Sequence, residues 1–107
     1  MLSDLSKKNR PLTPGEIIRE EYLEPLNITQ QRLATAMGVS FQRVNELLNG
    51  KRGVTVDTAL RLGRVFRTSP ELWLNVQRAV DLWDAVYGAG SKNIERKIKP
   101  LVPRNAA

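Results

Sequence analysis

A chain of 107 residues suits one domain with one hydrophobic core. Its 41% apolar content is that of a folded protein, and no apolar run approaches the roughly 20 residues of a membrane span, so no membrane partner is expected. There is no cysteine and no histidine, which excludes disulfides, thiol chemistry and the usual zinc sites, while the net charge of +6 points to a polyanionic partner.

Residues 1–12 read as a flexible basic arm with Lys7, Lys8 and Arg10. Residues 1–11 have no apolar stretch of the secretory kind, so a cytoplasmic protein is expected. Thr13-Pro14-Gly15-Glu16 is a helix start: Thr13 caps, Pro14 fits the first helical position and Glu16 completes a capping box. This first helix is expected to run to about Leu23, with Pro25 preventing its continuation.

Thr29 opens a second helix, and Ile28 and Leu33 are spaced as a hydrophobic staple around that cap. Gly38 ends it, and Ser40 caps a third helix that runs to about Leu48 before Asn49-Gly50. Thr55 caps a fourth, through about Phe66. Ser69-Pro70-Glu71 opens the fifth and longest, which reaches Tyr87. Residues 91–107 are basic, contain Pro100 and Pro103, and read as a loose tail with room for one helical turn. No period-two strand pattern is present, so the fold class expected is all-α with five helices. Residues 13–90 would form the domain, between the arm and the tail.

Residues 30–49 carry the pattern of a helix-turn-helix. Ala34 is the small residue that lets two helices cross closely, Gly38 supplies the turn, and Val39 and Val44 are apolar pegs across the first helix. Leu33, Leu47 and Leu48 face the core. Such a turn lets the second helix enter a major groove. The charge distribution agrees. Residues 30–67 hold seven cations against Glu46 and Asp57, whereas Glu16, Glu20, Glu21 and Glu24 crowd the first helix around Arg19 alone.

Removing the core positions of the third helix leaves Phe41, Gln42, Arg43, Asn45 and Glu46 as candidates for base edges. The amides of Gln42 and Asn45 can donate and accept to adenine at once, and Arg43 can read guanine or hold a phosphate. Phe41 packs on a thymine methyl if exposed and belongs to the core if turned inward. Glu46 can accept from cytosine or reject wrong sites. Thr29, Gln30, Ser40, Asn49, Lys51 and Arg52 are the candidates for phosphate contacts, through helix N-termini and the Gly-Lys-Arg-Gly turn. Arg61, Arg64 and Arg67 read as a solvated face.

On the fifth helix, Leu72, Trp73, Val76, Ala79, Val80, Trp83 and Tyr87 share one broad face, expected to be core. Leu74, Leu82, Ala85 and Val86 lie off it and suggest a dimer interface, since a surface helix needs only one apolar stripe.

Three blocks extend the pattern beyond the helix-turn-helix: Pro14 to Leu26, Asn45 to Gly53 with Thr58 to Leu62, and Leu72 to Gln77 followed by Asp81-Leu82-Trp83. On these residues the chain resembles the HigA-type antitoxins, within the wider XRE group of lambda-repressor-like domains. The resemblance implies a homodimer that binds a RelE-like, mRNA-cleaving HigB toxin, binds operator DNA and represses its own operon. Phe41 departs from the polar reader expected at its place. A stand-alone regulator without a toxin, or a protein-interaction module using helix five, would share much of this pattern. A nuclease would need a metal site, for which only the glutamates of helix one offer themselves, and their reading as an exposed acidic face is preferred. No cofactor and no metal are expected.

Overall fold

The computed structural model describes residues 9–88 and 90–106. Lys7, Lys8 and the rest of the arm through residue 8 lie outside them. Local chemistry fixes where the helices begin. The hydroxyls of Thr13, Thr29, Ser40, Thr55 and Ser69 accept the amide protons of Glu16, Arg32, Arg43, Thr58 and Leu72 at 3.1–3.3 Å. Each such cap is worth about 1 kcal/mol. Thr13 has the full box, because the Glu16 carboxylate accepts from the Thr13 amide at 2.8 Å.

The helices that follow are α1, in three consecutive parts (Pro14–Ile18, Arg19–Leu23 and Glu24–Leu26), α2 (Gln30–Met37), α3 (Phe41–Leu48), α4 (Val56–Phe66), α5 (Pro70–Tyr87) and α6 (Gly90–Lys97). A 3₁₀ turn spans Arg104–Ala106, and no strand occurs among the described residues. The all-α class stands, with one helix more than the five expected.

Two departures have physical causes. Pro25 does not stop α1, which continues to Leu26 and ends at Asn27 in the left-handed region (φ 56°). The middle part of α1 is a π-helix, in which the Glu24 amide bonds the Arg19 carbonyl five residues back. The wider turn gives the proline ring the room that an α register denies it. Beyond Gly88, the expected loose tail opens as α6, two turns long and almost wholly exposed. The Ser91 hydroxyl donates to the Val86 carbonyl at 2.7 Å, which fastens its start.

The core is one cluster drawn from α1 to α5, with Ile18, Leu33, Val44, Leu62 and Trp73 among its fully buried members. Tyr22 stacks on Phe66 at 4.0 Å between ring centroids, and Trp73 tilts against both at about 6 Å. Its indole N–H donates to the Thr68 hydroxyl at 2.7 Å, so the buried tryptophan leaves no donor unpaired. Gly15 is where α1 meets the end of α3: a Cβ there would lie 2.5 Å from the Leu48 carbonyl oxygen.

The face of α5 is rotated from the expected one. The stripe turned to the domain runs Trp73, Gln77, Val80 and Asp84. Leu72, Ala79 and Tyr87, expected in the core, are exposed, and Leu74, expected at a dimer contact, packs against the core. Polar partners cause the rotation. Gln77 accepts from the Val54 amide at 2.8 Å, and the two Asp84 carboxylate oxygens accept from Nε and Nη2 of Arg10 at 2.9 and 2.8 Å. That pair raises the Arg10 pKa and holds the Asp84 carboxyl below the usual carboxylate range.

Candidate nucleic-acid interface

The turn between α2 and α3 is built as its residues require. Gly38 sits in the left-handed region (φ 72°), and the amides of Gly38 and Val39 close back on the carbonyls of Thr35 and Ala34 at 3.2 and 3.0 Å. Ala34 is fully buried at the crossing, and Val44 and Leu47 anchor α3 from below.

Arginines then bolt this pair to α4. Arg61 donates from Nε to Asp57 at 2.9 Å and from Nη1 to the Met37 carbonyl at 2.8 Å, at the end of α2. Arg43 donates from Nη2 to Asp57 at 2.7 Å and to the buried Thr58 hydroxyl at 2.9 Å. One carboxylate therefore joins the end of α2, the first turn of α3 and the start of α4. Its hydrogen bond from Arg43, then that from Arg61, holds the Asp57 carboxyl below the usual range.

This corrects two expectations. Arg61 is not merely solvated, because it ties down the turn itself. Arg43 is not turned outward toward base edges but back into the fold. Its partners lie 14 and 15 residues away, beyond any helical spacing rule.

The outward face of α3 gathers the remaining candidates. Phe41 is 47% exposed at its first turn, so of the two readings it is the outward one. Gln42 lies beside it and donates to Glu46 at 3.3 Å. The Glu46 carboxylate also pairs with Arg52 at 2.9 Å, so both groups are engaged with one another. Asn49 donates to Asn45 at 3.2 Å, and Asn45 donates to Gln30 on α2 at 3.0 Å, an amide chain that pre-sets side-chain directions across both helices. Thr29 and Ser40 stand exposed at the starts of α2 and α3, and Lys51 is exposed just past α3. Gln77 steadies the following loop through Val54, a residue sequence reasoning passed over.

Away from this face, Leu82 (62% exposed), Ala85 and Val86 lie on the surface of α5, while Leu74 does not join them. Leu72, Ala79, Leu82 and Val86 recur at heptad-like spacing along the exposed side. Among the described residues no group of three His, Cys, Asp or Glu side chains could hold a metal ion, and no helix is long and apolar enough to cross a membrane.

Two short helices crossing at a glycine turn, one fastened to the body and the other presenting amides outward, define a helix-turn-helix DNA-binding domain. Residues 20–73 match the family described as Helix-turn-helix. The chain belongs to that family, among the HigA-type antitoxins and related transcriptional regulators. It is 49% identical to antitoxin HigA-1 of Vibrio cholerae over 78 residues, 72% of each chain. Among solved structures it resembles Pseudomonas aeruginosa antitoxin HigA with the higBA promoter (TM-score 0.80, 43% identity), covering 87% of this chain and all of that one. It also resembles antitoxin GraA in complex with its operator (TM-score 0.80, 40% identity), covering 88% and 94%. The family is one of DNA-binding antitoxins and regulators, not of enzymes.

Proposed function

We propose that this protein is the antitoxin of a toxin–antitoxin pair. It neutralises a HigB-like, RelE-like toxin and represses its own operon as a cytoplasmic homodimer on operator DNA. The observation that carries the DNA reading is the outward face of α3, where Phe41 and Gln42 are exposed and the half-buried Asn45 lies beside them. Gln42, Asn45 and Phe41 read base edges, with Glu46 tuning Gln42. Thr29, Gln30, Ser40, Asn49, Lys51 and Arg52 meet phosphates. Arg43 serves as a positioning residue through Asp57 and Thr58.

The exposed α5 residues Leu72, Ala79, Leu82, Ala85 and Val86 form the dimer contact, which sets two recognition helices about 34 Å apart on successive major grooves. The relatives named antitoxin, and the two solved with promoter or operator DNA, support both halves of this reading. The test is co-expression with the product of the adjacent reading frame. Rescue of a toxic neighbour together with a co-purifying complex is expected. A harmless or non-binding neighbour would overturn the antitoxin half and leave a stand-alone regulator.

A further inference from the structure

The charge of this protein is concentrated at its end. Residues 91–107 carry Lys92, Arg96, Lys97, Lys99 and Arg104 against Glu95, a net of +4 out of +6. Residues 1–90 hold twelve cations and ten anions. Within that body Arg10, Arg43, Arg52 and Arg61 are tied to carboxylates. Among the described residues, none of the five cations after Gly90 has a side-chain hydrogen bond or ion pair, and all five are exposed. On α6, Lys92 and Arg96 share one side by their spacing of four, with Ile94 opposite.

The launch point of this segment matters as much as its charge. The last turns of α5 lie beside the turn that follows the recognition helix: Asp81 and Asp84 line the same cleft as Lys51 and Arg52. The Arg10–Asp84 pair fixes that end of α5 against the start of α1. The basic segment therefore leaves the domain on the side where α3 ends. Eight helical residues span about 12 Å, and the ten residues that follow reach up to about 33 Å when extended. Together they can follow more than one turn of a DNA duplex.

We propose that residues 91–107 are a second, sequence-independent DNA contact, gripping phosphates that flank the base pairs read by α3. This rests on the DNA-binding reading above. The segment raises affinity for any duplex and steepens its salt dependence, while sequence preference stays with α3. Among the described residues the five cations have no carboxylate to leave before they meet a phosphate, unlike Arg52, which must part from Glu46.

The experiment compares the unsubstituted full chain with K92Q/R96Q/K97Q/K99Q/R104Q by fluorescence anisotropy. The probes are a random-sequence 30-base-pair duplex and a duplex from upstream of the chain's own operon, each over 50–200 mM salt. Each lost phosphate contact lowers the slope of log affinity against log salt by about 0.9, so a drop of about 3 or more is expected on both probes. The preference between the probes should not change. The I94Q/I98Q variant should keep the slope, and all three proteins should sediment alike. An unchanged slope in the five-fold variant overturns the proposal while the DNA-binding reading stands. A loss that accompanies conversion to monomers also overturns it and makes the segment an arm for a second copy. Failure of the unsubstituted chain to bind either duplex removes the DNA-binding reading and this proposal together.

Discussion

The helix-turn-helix and the last two helices use the same residue types to opposite ends. In α2 and α3 the apolar side chains Leu33, Ala34, Met37, Val44, Leu47 and Leu48 are buried, and Arg43 on α3 and Arg52 in the turn after it are bonded to carboxylates. On α5 and α6 Leu72, Leu82, Val86 and Ile94 lie exposed, and the cations after Gly90 have no side-chain partner among the described residues. The first region is finished by its own chain and holds one shape. The second is finished only by what binds it. Burial and ion pairing, more than composition, separate a reading element from a docking element here.

Substitutions can break this contrast. The largest effect is expected from Gly15→Ala, because the new Cβ meets backbone oxygens of both Leu47 and Leu48 and those atoms cannot swing aside. Overpacking of this kind costs about 1–3 kcal/mol and sometimes more, to be read from the urea midpoint. Next, Gln42→Ala and Arg43→Ala should separate reading from holding. Gln42→Ala should leave the melting curve alone and lose about 1–3 kcal/mol of discrimination between operator and mismatched duplexes. Arg43→Ala should lower stability and weaken all duplexes with preference retained. If the two variants behave alike, the division of α3 into outward and inward residues is wrong.

A third pair sharpens the contrast on α5. Leu82→Asp should yield monomers in sedimentation with the fold intact, whereas Leu74→Ala should leave the dimer and lower the melting temperature. The smallest effect is one of pH. The folded-state pKa of Asp57 is depressed, so its contribution is present above the unfolded value of about 3.9 and is lost as pH falls through the folded value. Asp57→Asn should therefore be less stable than the unsubstituted chain at pH 6, and the difference should shrink as pH falls below the unfolded value and through the lower folded one.

What could be read in the sequence was what neighbours in the chain decide. All five capping hydroxyls stand where spacing put them, because a cap bonds three residues away. The glycine turn at Gly38 and the buried crossing at Ala34 were legible for the same reason. Distant partners were not. Arg43 takes its role from Asp57, 14 residues away, and Arg61 from the Met37 carbonyl, 24 residues away, and no helical period brings either pair together; only Arg61 and Asp57 meet at helical spacing. The α5 face was misjudged because Gln77 and Asp84, polar residues, are turned to the domain by the Val54 amide and Arg10. Pro25 was read as a stop because the π register of α1 leaves no mark in the apolar pattern.

The hydrogen bond from the Val54 amide to Gln77 has a consequence for regulation. It makes the loop behind the recognition helix a passenger of α5. If a second protein seated on α5 displaces that helix, the loop carrying Lys51 and Arg52 moves with it, and the protein's hold on DNA changes. Thermodynamic linkage then works in both directions, so that DNA alters the affinity for the second protein by the same factor.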